Sequence, residues 1–132
     1  MERLLPQKAP FVMMDKMYHF SETSLTAGLK VERTNIFFCD DVLAEAGVIE
    51  HMAQTAALHT GYSFFLRELP PPMGYLGTIK DIEIIQLPKL YQEIRTTITI
   101  LQEFAGISLV DVRSEIDGVE IAKGQLKTVI AK

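Results

Sequence analysis

The chain has 132 residues, 48% hydrophobic and 23% charged, with a net charge of −4 at pH 7. That length suits one domain over residues 1–132 with its own core, and the balance is globular, neither disordered nor membrane-like. The acidity, with no basic run and no tryptophan, argues against nucleic acid, which normally needs a positive stripe.

The opening, Met1-Glu2-Arg3-Leu4-Leu5-Pro6, places an acid and a proline where a signal peptide needs an apolar stretch. No run approaches the roughly 18 apolar residues of a membrane span. A cytoplasmic protein without a membrane partner is expected. Pro6 and Pro10 bracket an extended lead-in loop. Phe11 to Phe20 is dense in apolar residues and reads as a strand buried on much of both faces. Ser21 to Ser24 make a polar turn. Leu25, Ala27, Leu29 and Val31 then alternate with Thr26, Lys30 and Glu32, a half-buried strand that pairs with the first as a hairpin.

Val42 to Leu69 has helical spacing, with apolar residues at Val42, Leu43, Ala46, Ile49, Met52, Ala53, Ala56, Ala57 and Phe64. Its inward stripe is alanine-rich, which lets a sheet approach closely, and Pro70-Pro71-Pro72 ends it. Four strand-like runs follow: Gly74 to Ile85, Tyr91 to Leu101, Ile107 to Ile116, and Val119 to Ile130. Asp117-Gly118 is the turn signal between the last two. Two strands, one long helix and a four-strand meander make an α+β layer architecture. Gly106, Gly118 and Gly124 are candidates for the bends or bulges that curve the sheet. A single sheet around one helix leaves edges open, so a dimer is expected.

Leu4-Leu5-Pro6-Gln7-Lys8-Ala9-Pro10-Phe11, followed by Met14-Asp15-Lys16, resembles the opening of the (3R)-hydroxyacyl-acyl-carrier-protein dehydratases. Asn35-Ile36-Phe37-Phe38 resembles that family's loop before the helix, and Glu50-His51-Met52-Ala53-Gln54 its helix signature. The likeness is greater to the divergent dehydratase-like branch of aryl-polyene and related pigment biosynthesis. It is carried there by Leu43 to Gly61 and by Gly74-Tyr75-Leu76-Gly77-Thr78-Ile79-Lys80-Asp81-Ile82, and it covers essentially the whole chain. The resemblance implies a hot-dog fold of about six strands and acyl thioester substrates on acyl carrier protein or coenzyme A, as in fatty acid or polyene biosynthesis. It implies no cofactor, and a homodimer or a heterodimer with a related dehydratase. Two family histidines are missing. Gln7 stands at the first, and Phe37-Phe38 is followed by Cys39-Asp40-Asp41 rather than Gly-His-Phe-Pro, with a shortened segment from there to Glu50.

Dehydration of a 3-hydroxyacyl thioester needs a base for the α proton, an acid for the leaving hydroxyl, and donors for the thioester oxygen. Glu50 is the leading catalytic candidate, since its apolar, alanine-rich surroundings would favour the neutral acid; a structural or solvated carboxylate is the alternative. Gly47 and Val48, near the helix start, are candidate amide donors, or Gly47 serves close packing at a dimer contact. His51 serves a partner's pocket or is held by structural hydrogen bonds. Asp40 and Asp41 are candidate helix caps. If Asp41 instead takes the missing histidine's place, two close carboxylates would divide acid and base roles. Gln54 is expected as a hydrogen-bonding member of the site wall or interface. Met13, Met14, Phe37, Phe38, Met52, Tyr62, Phe64 and Phe65 can line an adaptable, elongated apolar slot, though most of them are core residues on any reading. The lone cysteine, Cys39, excludes an internal disulfide and a cysteine-based zinc site within one chain, and His19 and His59 make no metal-ligand spacing with Glu50. Arg3, Lys8 and Arg67 are candidates for a basic patch toward an acidic protein, or simply solvated charges. A catalytically weak partner subunit and an acyl thioesterase, with Glu50 or Asp41 activating water, are the competing functions.

Overall fold

A computed structural model describes residues 12–70 and 75–130. The lead-in prolines, Arg3, Lys8, Gln7, Phe11 and the end of the proline run lie outside the described residues. Within them the order is β1 (Lys16–Phe20), β2 (Ser24–Lys30), β3 (Phe38–Cys39), β4 (Val42–Leu43), α1 (Glu45–Leu66), β5 (Tyr75–Ile84), β6 (Glu93–Phe104), β7 (Ile107–Ile116) and β8 (Val119–Ile130). Six strands form one antiparallel sheet in the order β1-β2-β6-β7-β8-β5, and β3 and β4 make a separate small hairpin. No helix among the described residues is long and apolar enough to cross a membrane.

The sheet follows from alternation and turn chemistry. In β6, Ile94, Thr96 and Ile98 are buried while Arg95 is exposed, and β7 sends Val110, Val112, Ser114 and Ile116 inward. The two polar members, Thr96 and Ser114, satisfy each other in the core through a 2.5 Å hydroxyl–hydroxyl hydrogen bond. Ala105-Gly106 and Asp117-Gly118 have positive φ at both residues, the backbone of the two-residue turns that suit twisted hairpins. Gly106 and Gly118 therefore act at turns. Gly124 acts at a bulge: the pairing of β5 with β8 shifts between Lys80 and Glu83, and a Cβ on Gly124 would lie 3.1 Å from Ile82 Cα. Further register shifts in β1/β2, β6/β7 and β7/β8 add the curvature that wraps the helix.

Helix α1 packs on β2, β5, β6 and β7. It is shorter than its apolar pattern predicts, because Val42 and Leu43 belong to β4. Its N-cap is Ala44 with no side-chain cap bond. Asp40 and Asp41 are therefore not caps; they form the β3–β4 turn, with φ of 52° and 64°. Aspartate tolerates that left-handed backbone better than most residues. The helix also stops before the prolines. Leu69 N–H donates to Phe64 O and Glu68 N–H to Phe65 O around Glu68 at φ 57°, the paired bonds of a Schellman ending.

The inward face differs from the expected stripe. Gly47, Val48, His51, Met52, Thr55, Ala56 and Leu58 are buried, whereas Ala46 is exposed and Ile49 and Ala53 are only half-buried. Gly47, not alanine, marks the closest approach. A Cβ there would stand 2.6 Å from Phe37 Cβ and 2.9 Å from Leu43 Cδ1, so this first turn packs directly on the β3–β4 hairpin. The expected first strand is also shorter: residues 12–15 are unpaired apart from Asp15 N–H donating to Gly28 O. That segment lies against the helix instead, through Met13.

Candidate functional site

Glu50 sits in the second turn of α1, on its half-exposed outer face. Gln54, one turn further on, donates from Nε2 to Glu50 Oε1 at 2.8 Å. The i, i+4 spacing places the two side chains one above the other. Gln54 is itself fixed, because it is 1% exposed and its Oε1 accepts the Met13 N–H at 2.7 Å. The amide therefore cannot flip without reversing both bonds. Among the described residues Glu50 Oε2 has no hydrogen-bond partner, and Glu50 is half-exposed.

His51 faces the other way. It is fully buried, with Nδ1 2.6 Å from Met13 O. A carbonyl oxygen only accepts, so Nδ1 carries the proton and Nε2 holds the lone pair. Among the described residues, Nε2 is buried without a partner. Burial pushes the imidazole from 6.5 down to about 4, outweighing the opposing Met13 bond, so the ring is neutral at pH 7. Together His51 and Gln54 grip both backbone polar groups of one residue, the Met13 N–H and C=O. Thr55 adds a bond from Oγ1 to His51 O at 2.8 Å. Enclosed in this way, His51 touches no ligand from its own protomer, and it positions the chain that positions Gln54.

The other expected site residues are dispersed. Asp41 is exposed at the tip of the β3–β4 turn, with no hydrogen bond to Glu50. The amides of Gly47 and Val48 are already engaged, donating to Ala44 O at 2.9 and 3.2 Å. They are not free donors, since the helix begins early enough to use them. The first-turn amides without a backbone acceptor among the described residues are those of Glu45 and Ala46. Val48 and Met52 are sealed in the core at 0% and 1% exposure, and Phe38 is half-buried in β3.

Most of the residues named for an acyl slot are core residues, as the sequence also allows. Met13, Met14 and Met52 are closed core, and Phe37 and Phe38 pack against that core. Of the eight residues proposed to line the slot, only Phe64 borders the large cleft, of about 790 Å³, which opens between the second half of α1, the β1–β2 turn and the β6–β7 end of the sheet. His59 and Arg67 border it too. In the sequence His59 makes no metal-ligand spacing with Glu50. The signal available was its i, i+4 relation to Ser63, another residue of the cleft wall.

One long helix wrapped by a curved six-stranded antiparallel sheet, with an oriented carboxyl on its outer face, defines a hot-dog domain of the dehydratase type. The chain belongs to the ApeP-like dehydratase family, whose model, described as ApeP dehydratase, matches residues 1–132. An uncharacterized thioester dehydrase of Halalkalibacterium halodurans is 27% identical over 130 residues, covering 93% of this chain and 82% of that protein. Among solved structures, a chain of the dehydratase heterocomplex ApeI:P from Xenorhabdus doucetiae superposes with a TM-score of 0.85 at 19% identity, over 99% of this chain and 90% of that one. A Streptococcus mutans protein, smu.793, bound to acetyl CoA, superposes with a TM-score of 0.74 at 13% identity, over 96% of this chain and 95% of that one. At such identities the structural likeness carries the fold alone.

Proposed function

We propose that the protein dehydrates (3R)-hydroxyacyl thioesters, presented on acyl carrier protein or coenzyme A in the cytoplasm, with Glu50 as the acid/base group. The observation that carries this reading is the fixing of the half-exposed Glu50 carboxyl: Oε1 is held by a locked Gln54, and Oε2 has no partner among the described residues. Without the loop histidine, one carboxyl can serve both halves of the reaction. Ionised Glu50 takes the α proton, and the electron pair moves onto the thioester oxygen. The neutral acid then returns that proton to the β-hydroxyl as the C–O bond breaks. The pair flows back to form the α,β double bond, water leaves, and Glu50 is ionised again. The unpaired amides of Glu45 and Ala46 are the available donors for the transient oxygen charge.

A second reading, a weakly active subunit completed by a related dehydratase, is favoured by two specific findings. Asp41 is displaced from Glu50 to an exposed turn, and Gly47 and Val48 have spent their amides. The open β1 and β5 edges leave room for a dimer of either kind. Incubating the pure protein with a 3-hydroxyacyl thioester separates these readings. Enoyl product lost in Glu50→Gln supports dehydration by this chain. Product only after a partner dehydratase is added supports the second reading. Free thiol without enoyl product would instead reveal a thioesterase and overturn both.

A further inference from the structure

We infer that Asn35 is a positioning residue of the Glu50 site, registering the first turn of α1 against the Met13 segment that holds Gln54. The inference rests on the dehydration reading and deepens it. Asn35 is half-buried in the loop between β2 and β3, and every polar group it carries is committed. Its N–H donates to Glu32 O at 3.1 Å, and its carbonyl accepts the Phe38 N–H at 3.0 Å. In the side chain, Oδ1 accepts the Phe37 N–H at 2.8 Å and Nδ2 donates to Met13 Sδ at 3.4 Å. A backbone N–H only donates and a thioether only accepts, so this amide fits one way round.

The two side-chain partners lead to the two halves of the site. Phe37 fixes the helix start. Its carbonyl accepts the N–H of the N-cap residue Ala44 at 2.9 Å, and its Cβ stands against Gly47. The amides of Glu45 and Ala46, without a backbone acceptor among the described residues, follow Ala44 directly. Met13 fixes the carboxyl, because its N–H is held by Gln54 Oε1 while Gln54 Nε2 holds Glu50 Oε1. Met13 is wholly buried and is pinned at N, O and Sδ by Gln54, His51 and Asn35. A thioether is a weak acceptor, so the Asn35 bond sets a direction more than it adds stability. Direction is what the reaction needs. An acid/base group and amide donors act together only when both meet the same thioester at hydrogen-bond distance, and about 1 Å of misplacement costs on the order of 10²-fold in rate.

Two substitutions break the Asn35–Met13 contact from opposite sides. Asn35→Asp is nearly isosteric and keeps an oxygen for the Phe37 N–H, but turns its second oxygen on the sulfur lone pairs. Met13→Leu removes the sulfur and roughly conserves volume. Steady-state dehydration of a 3-hydroxyacyl thioester by the full chain, well below the melting range, should show kcat about tenfold or more lower in either variant, with KM within about twofold. The double variant should be no worse than the poorer single, since both changes remove one contact. Hydrogen exchange followed by NMR gives a readout independent of activity. The Met13 N–H should exchange about tenfold faster in Asn35→Asp, while the Val110 and Val112 amides of β7 keep wild-type rates. Wild-type kcat in both single variants would overturn the inference. So would losses that multiply in the double variant, or exchange that rises equally in β7, either of which marks a residue that only stabilises the fold. If the wild type forms no enoyl product, or Glu50→Gln keeps forming it, the dehydration reading fails and takes the inference with it, a result no Asn35 variant can imitate.

Discussion

His51 makes a sharp test of how this core is assembled. In the unfolded chain its imidazole takes a proton near pH 6.5; in the native protein burial holds it neutral down to about 4. Between these values the unfolded state binds the extra proton, so stability falls as pH falls, and the full loss is reached only below pH 4. A depression of that size corresponds to about 3 kcal/mol, most of which would be lost between pH 7 and pH 4.5. That is a large share of the 5–15 kcal/mol, roughly, that holds a domain folded. His51→Asn keeps a donor near the Nδ1 position for Met13 O and removes the titrating ring. Urea unfolding followed by circular dichroism at pH 7 and 4.5 measures both proteins. Surface carboxylates titrate in each and cancel in the comparison. The wild type should lose about 2–3 kcal/mol more than the variant over this interval. Parallel losses in the two proteins would show that His51 is not held neutral by burial, and the account of the Met13 clamp would fall with it.

Three further outcomes follow from the packing and hydrogen bonds. Gly47→Ala drives a methyl to within 2.6 Å of Phe37 Cβ, so thermal unfolding should show a destabilisation of about 1–3 kcal/mol. Gln54→Leu strands the Met13 amide, costing about 1–3 kcal/mol in denaturant melts, and releases Glu50 Oε1; under the proposed mechanism kcat falls even where the protein remains fully folded, which a dehydration assay below the melting range reads directly. Thr96→Val leaves the buried Ser114 hydroxyl unpaired at a cost of about 1–2 kcal/mol, and adding Ser114→Ala should recover much of it, measured as a double-mutant cycle.

Local chemistry was enough to read the meander. The alternation of Ile94, Thr96 and Ile98, and the Asp117-Gly118 pair, depend only on the two-residue period of a strand and the φ demanded by a tight turn. The same locality explains the misreadings. Asp40 and Asp41 suit a helix cap and a left-handed turn equally well as isolated residues, and only the pairing of Phe38 with Leu43 decides for the turn. The helix stripe was misplaced because α1 is covered on nearly all sides between His51 and His59, so apolar spacing no longer marks a single face.

The sequence by itself determined that one long helix and an antiparallel sheet would share a core, and that Glu50 and Gln54 would stand one turn apart, because helical geometry sets that spacing. Tertiary structure alone decided what those groups do. The peptide of Met13 reaches His51 and Gln54 across 38 and 41 residues of chain, a contact with no local signature. It is this closure that locks one carboxyl oxygen and buries an imidazole as a neutral ring.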